Sequence, residues 1–368
     1  MSLFFCFARF PSITSQILKT RVSPLGLNRL STRFIKAPIR KYAVQKAVNH
    51  IKGPIQVVCK RDEFVVLSFM RNAELHLEHF VEHHLDLGAK QIFLLDNGSI
   101  DESLALAKKY SEVTLLQCLL PYKYFKYEFR RFLLRRCAKN CWGLLVDIDE
   151  RFCHPFSDRI GMSRFLQYLN RHNYTAVMGQ MLDLFPAGPA TSWPGNGKEL
   201  VQQSCWYELE SLQRFNLERD RQGKLADKRL FRMCGGIRVS GFKMDNHPNL
   251  TKYPLLFSDG TVQPNEGSSH RIRGGRIADT TCLLKHYKFH RDFEAECRLI
   301  VEEKSYYKDS LEYRQYLKAL KAKGGLVLKT GGSRRFSHVN QLIDENFLVV
   351  SEAFRQYVNE NAYWKKTG

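Results

Sequence analysis

Residues 64–70 read Phe-Val-Val-Leu-Ser-Phe-Met, a short apolar run rich in β-forming residues that predicts a buried strand. The pattern then changes period. Leu77, Phe80, Val81, His84 and Leu87 recur at helical spacing over residues 74–87, and Gly88 supplies a C-terminal stop. Gln91 to Leu95 predicts a second strand, ending in Asp96-Asn97-Gly98-Ser99, a turn able to cap a helix over about 101–110. A third strand is expected over Val113 to Leu119, a basic helix over 127–140 and a fourth strand over Trp142 to Asp147. A helix over about 161–171 and a strand over Ala176 to Phe185 complete the series. Strand and helix thus alternate at βαβ spacing, which predicts an α/β fold with a doubly wound, mostly parallel sheet.

After Phe185 the rhythm breaks. Residues 186–204 are rich in Pro, Gly and Ser, and 216–228 are polar, so both read as loops, with short strands expected at 229–233 and 281–285. From about Phe293 onward the chain reads as helical, with Tyr306, Tyr307, Tyr313 and Tyr316 as an aromatic packing face. This divides the chain into a tail over 1–61, an α/β domain over 62–292 and a helical C-terminal extension over 293–368.

In doubly wound sheets ligands bind beyond the carboxyl ends of the strands. Two acidic clusters fall there: Asp96, and Asp147-Ile148-Asp149-Glu150 after the apolar Leu144-Leu145-Val146. Carboxylates closing an apolar strand are costly without a counter-charge, and oxygen-only ligands two residues apart suit Mg²⁺ or Mn²⁺ bridged to phosphates. The bland reading of Asp147–Glu150 is an exposed acidic turn, and of Asp96 a helix cap. His286 ends the apolar Cys282-Leu283-Leu284 run within Lys285-His286-Tyr287-Lys288, a basic segment suited to a diphosphate leaving group. His76, His79, His83 and His84 share one helix, and a structural or solvated role fits them better than zinc. No Gly-x-Gly-x-x-Gly follows the first strand, which argues against a dinucleotide oxidoreductase, and neither a Walker sequence nor a Gly-x-Ser-x-Gly elbow is present.

Charge modifies the picture at one end only. The formal net charge is +20, and residues 1–61 contain no Asp or Glu and carry more than half of the excess. That segment reads as a basic tail leaning on anionic lipid, as a transit peptide, or as an arm for nucleic acid. No run of about 18 apolar residues occurs. The ten cysteines form no Cys-x-x-Cys and several lie in apolar runs, so the expectation is a cytoplasmic chain with reduced thiols, peripheral at the inner face of a membrane.

Taken together the motifs over about 62–320 resemble a bacterial-type branch of the family 2 glycosyltransferases. Arg71-Asn72 opens the first helix; Asp96-Asn97-Gly98-Ser99-Ile100-Asp101 is similar to the family's Asp-Asn-x-Ser-x-Asp turn, and Asp147–Glu150 to its Asp-x-Asp-Glu. Met181–Pro186, Arg229-Leu230-Phe231, Ser268-Ser269-His270 and Leu284–Phe289 resemble later segments in the right order. The resemblance implies a GT-A fold, Mn²⁺ or Mg²⁺, and inverting transfer from a nucleoside-diphosphate sugar to a glycan or glycolipid acceptor, with no specific nucleic acid. It implies nucleotide contacts from Asp96, Asn72, Arg71, Asp147 and Lys288, and metal ligation by Asp147, Asp149 and His286. Asp183 is the named candidate for the general base, with Asp245 and Glu266 behind it. One departure is evident: the family reads Arg-Asn-Glu where this chain has Arg71-Asn72-Ala73-Glu74, which moves the glutamate about 100° around the helix. Two rival classes predict other behaviour. A metal-dependent phosphohydrolase releases phosphate without an acceptor, and a basic nucleic-acid-binding protein binds in a salt-sensitive manner.

Overall fold

The computed structural model describes residues 29–217, 224–264, 269–303, 307–321 and 325–362. Residues 1–28, Glu266, Ser268 and Tyr306 lie outside the described residues. The chain divides into two units, residues 1–42 and 43–368. Arg29–Ala47 is helical (α1), and among the described residues no helix is long and apolar enough to cross a membrane.

The larger unit is built on a ten-stranded sheet. In chain order its strands are Asn49–Lys52 (β1), Phe64–Met70 (β2), Ile92–Asp96 (β3), Val113–Gln117 (β4) and Trp142–Leu145 (β5). Glu150–Cys153 (β6), Ala176–Asp183 (β7), Lys224–Leu225 (β8), Thr251–Phe257 (β9) and Arg276–His286 (β10) follow. Across the sheet they run β1-β4-β3-β2-β5-β9-β7-β10-β8, with β6 also paired to β10. Pairings within β4-β3-β2-β5 and β7-β10-β8 are parallel; β1, β6 and β9 pair antiparallel. The α/β, doubly wound and mostly parallel architecture expected from the sequence is therefore the one observed.

Successive strand side chains point to opposite faces, and both faces here are covered. Phe64, Val66, Ile92 and Leu94 pack in one core with Leu77 and Phe80 of α2 (Glu74–Asp86), Phe165 and Tyr168 of α5 (Met162–Arg171) and Phe354 of α11 (Glu352–Asn361). Val65, Leu67, Phe93 and Leu95 pack in a second core with Phe125, Phe129 and Leu133 of α4 (Tyr122–Cys137). Burial on both faces explains why these strands read as continuous apolar runs.

Several boundaries differ from the expectation, and two short helices were not anticipated, Gly197–Gln203 (α6), inside the 186–204 stretch read as a loop, and Gln341–Asp344 (α10). The helix between β3 and β4 is short, Ser103–Lys108 (α3), and α4 begins five residues early, behind Pro121. The strand expected at 281–285 is the eleven-residue β10, buried over most of its length. The one expected at 229–233 is Phe231–Cys234, paired with Gln213–Asn216. Four sheet strands had no clear signal: polar β1, β6, the two-residue β8 inside the 216–228 stretch read as a loop, and β9, whose Pro254 masks it. Because β1 pairs with β4, residues 49–61 belong to the larger unit and not to a tail.

C-terminal helices α8 (Phe293–Glu303) and α9 (Tyr307–Leu320) form a satellite core in which Tyr316 packs against Phe242 and Phe293, so Tyr313 and Tyr316 do provide a packing face. Beyond them, Val339, Leu342, Phe347, Phe354 and Val358 enter the main core, so the C-terminal stretch completes the α/β unit. The cysteine reading is corrected at one pair. Cys59 and Cys141 form a disulfide, Cα–Cα 5.7 Å, across 82 positions, while the other described cysteines are free. The two meet only because the segment ahead of β2 lies beside the start of β5, which no local motif announces.

Candidate active site

The site is assembled at the carboxyl ends of the parallel strands. After β5 the chain makes a tight turn, Glu150 N–H donating to the Asp147 carbonyl at 2.9 Å, and returns as β6 along β10. Register then sets a row across three strands: Glu150 opposite His286, and His286 opposite Asp183. Residues opposed on adjacent strands face the same side, so the register places Asp183 beside the His286 ring, while Asp149, in the turn just ahead of β6, reaches the ring from its other edge.

His286 is buried, and both its ring nitrogens are engaged. Nε2 lies 2.9 Å from Asp149 Oδ2 and Nδ1 lies 2.5 Å from Asp183 Oδ1. Asp183 is in turn held by a two-pronged bond from Arg238, Nε to Oδ2 at 2.8 Å and Nη2 to Oδ1 at 2.9 Å. Arg238 stands on the short helix Ile237–Ser240 (α7) and reaches Glu312 of α9 at 3.3 Å. Burial alone depresses an imidazole pKa, but the Asp149 and Asp183 carboxylates outweigh it and raise His286 to about 9. Burial opposes the charge on Asp183 too, yet Arg238 and His286 hold its carboxyl well below the ordinary range. Asp149 is held low in the same way, chiefly by His286 and then Lys288.

The other end of the acidic turn faces a different cation. Lys252 of β9 is buried; its Nζ lies 2.6 Å from Asp147 Oδ2 and 2.5 Å from Glu150 Oε1. Glu150 Oε2 accepts from Asp147 N–H at 3.0 Å, so this side chain folds back to close its own turn. Arg130 of α4, also buried, stands 3.9 Å from Asp147. Beside them is a cleft lined by Phe69, Arg130, Asp147, Lys252, Ser269 and Arg271.

The three expected metal ligands are thus not gathered as one set. Among the described residues no group of three or more His, Cys, Asp and Glu side chains is placed to hold a metal. Asp147 is turned to Lys252, while Asp149 and His286 form a pair. That pair fits a divalent cation on the chemistry of its donors. Asp149 Oδ1 has no hydrogen-bond partner among the described residues, the side chain is partly open, and Nδ1–H of a neutral His286 would donate to Asp183, the usual outer-shell arrangement for a ligating histidine.

The remaining expected residues lie at the same rim, mostly in structural bonds. Asp96 is buried and accepts from Gly98 N–H, Ser99 N–H and Gln117 Nε2, so its carboxylate closes its own turn. Asn72, at φ +53°, accepts from Ile100 N–H, while its own N–H donates to Ser99 Oγ; together they stitch the loops after β2 and β3. Arg71 makes two 3.0 Å bonds to Glu303 at the end of α8. Lys288 lies 3.3 Å from the Tyr313 hydroxyl, over that ring, and burial of its charge is outweighed by Glu312 and Asp149. Asp245 is exposed and accepts from Gln315. Of the helix α2 histidines, His83 and His84 bond backbone carbonyls, as a structural role requires. Lys252, Arg130, Arg238 and Glu312 were not singled out in the sequence. The only signal was a charged residue inside the apolar Thr251–Phe257 run for Lys252, and none marks the other three.

No protein-family model matches the chain, and no curated protein matches it. Among solved structures, a UDP-glucose pyrophosphorylase from acinetobacter baumanii aligns over 72% of this chain and 84% of that one, at 10% identity and a TM-score of 0.24. A likeness at that level carries no functional argument.

Proposed function

We propose that this chain transfers a sugar from a nucleoside-diphosphate sugar to an acceptor hydroxyl of a glycan or glycolipid, with Mn²⁺ or Mg²⁺ held at Asp149 and His286. The observation that carries the reading is the Asp149–His286–Asp183 chain at the carboxyl ends of β5, β7 and β10, next to a cleft lined by Arg130, Lys252 and Arg271. The motifs resembling family 2 glycosyltransferases supply the reaction class.

A cation bound there supplies Lewis-acid neutralisation of the departing diphosphate. The chain's own residues do the rest. Asp183, clamped by Arg238, fixes the His286 ring and selects the tautomer with Nδ1 protonated, which leaves Nε2 as the outward lone pair. Lys288 adds fixed positive charge on the same side. The Asp96–Ser99 turn, tied to Asn72, shapes the rim where the nucleoside would lie. Asp183 is withdrawn behind His286 and shared between the Arg238 guanidinium and the His286 Nδ1–H, so in this reading it is a positioning residue and not the base that takes the acceptor's proton.

Thermal unfolding with nucleoside diphosphates tests the reading, because a ligand at 100 times its Kd adds about 2.7 kcal/mol to the folded state. One nucleoside diphosphate should raise Tm only with Mn²⁺ present. No Mn²⁺-dependent shift with any of them would contradict the proposal, and release of free phosphate without acceptor would identify a phosphohydrolase.

A further inference from the structure

Lys252 sits in an unusual place for a lysine. It lies on β9, between β5 and β7 in the middle of the sheet, and is 7% exposed. Its strand is irregular at that point: the β9–β7 register shifts between Lys252 and Leu255, around Pro254, which has no N–H to give the ladder. Gly179 on β7 makes room, since a Cβ there would stand 2.9 Å from Pro254 Cγ. The bulge directs the Lys252 side chain to the acidic turn, where its ammonium bonds Asp147 and Glu150 at once. Glu150 is 0% exposed, so its charge has no water to stabilise it and depends on this partner.

The acidic turn is therefore divided. Asp147 and Glu150 share one buried cation supplied by the fold, and Asp149 alone turns to His286. We propose that Lys252 is a built-in cation occupying the place a second divalent ion would take beside Asp147 and Glu150, so that Asp149 is the one acid of the turn left to a divalent ion and the chain binds a single metal. This rests on the metal-dependent reading above. Lys252 is a positioning residue in this scheme, acting on the turn and through it on Asp149.

The test is Mn²⁺ binding by the full chain, counted by electron paramagnetic resonance with Mn²⁺ as the only added ligand, for wild type, Lys252→Arg and Lys252→Met. Expected stoichiometries are one Mn²⁺ for wild type and Lys252→Arg and two for Lys252→Met, the second lost again in Lys252→Met/Asp147→Asn. One Mn²⁺ in both wild type and folded Lys252→Met overturns this proposal and leaves the metal reading intact. No Mn²⁺ in wild type overturns the metal reading and, with it, the single-metal proposal, whatever Lys252→Met binds. Wild type alone keeps the claim testable if Lys252→Met does not fold, because two Mn²⁺ per wild-type chain would contradict it.

Discussion

Asp149, in the turn ahead of β6, and Asp183, at the end of β7, stand 34 positions apart, and one imidazole joins them: His286 reaches Asp149 at 2.9 Å through Nε2 and Asp183 through Nδ1. Register sets the Asp183 contact, since His286 is opposite Asp183 on β7, and the tight turn that leads into β6 sets the Asp149 contact. The consequence is a division of labour among acids that look alike in the sequence. Asp149 meets the His286 ring at Nε2, Asp183 supports it at Nδ1, and Asp147 is bonded to Lys252.

Replacing Asp183 by Asn tests the supporting role. Arg238 is buried and would lose its two-pronged partner, so the folded state should weaken by about 3–5 kcal/mol. A structural loss alone would stop there. In the folded protein Mn²⁺ affinity should also fall by roughly 10- to 100-fold, as expected for outer-shell partners of a ligating histidine. Unchanged affinity, measured by titration calorimetry, would remove Asp183 from the site.

Stability should fall on acidification below about pH 6.5. His154 is fully buried, with Nδ1 against the Pro155 carbonyl and Nε2 unpartnered, and burial lowers its pKa from 6.5 to about 4. His84 is equally buried, with Nε2 unpartnered and its pKa well below the usual value. Between the two pKa values the unfolded chain binds protons that the folded chain refuses, so stability rises with pH across that window and falls as pH drops through it. His154 alone accounts for about 3 kcal/mol between pH 7 and pH 4. Urea denaturation as a function of pH should show this slope, and His154→Phe should flatten it.

The Cys59–Cys141 disulfide closes a long loop, with the partners 82 positions apart. On loop-entropy grounds it stabilises by about 4.5 kcal/mol. Peptide mapping under non-reducing conditions should recover the crosslink, and reductant or Cys59→Ser should lower Tm. Such a bond belongs to an oxidising compartment, against the cytoplasmic expectation. Free thiols at both positions in protein purified without reductant would restore that expectation.

Gly179→Ala should destabilise by about 1–3 kcal/mol, because the added methyl meets Pro254 at 2.9 Å in a sheet interior that cannot open. Since β9 carries Lys252, the same variant should reduce Mn²⁺-dependent turnover more than its loss of stability explains. Normal turnover in the folded fraction would separate β9 from the site.

Much of the sheet was legible because its parallel strands are buried on both faces and read as apolar runs, as at Phe64–Met70 and Ala176–Asp183. The strand at Thr251–Phe257 was not, since Pro254 signals a break and only the bulge opposite Gly179 accommodates it. Asp147, Asp149 and His286 were legible as chemistry, being polar residues that end apolar strands. Their grouping was not. Which acid meets which cation depends on pairings over 100 positions, Lys252 with Asp147 and His286 with Asp149, and no local spacing encodes those. Asp183 was named in the sequence as a general-base candidate, within a stretch resembling the family's acceptor side, and the Arg238 clamp from α7, which no local pattern announces, is what makes it a positioning residue in the proposed reading.

The central claim is that Asp149 and His286 hold the cation that makes sugar transfer possible. The most direct measurement is Mn²⁺-dependent turnover of a nucleoside-diphosphate sugar, with an acceptor present, by wild type and by Asp149→Asn of matched thermal stability. Wild type should consume donor and form a glycosylated product, and Asp149→Asn should lose at least about 100-fold in kcat, the scale of removing a main electrostatic stabiliser of the leaving group. Turnover by Asp149→Asn equal to wild type, with the same Mn²⁺ dependence, would contradict the assignment.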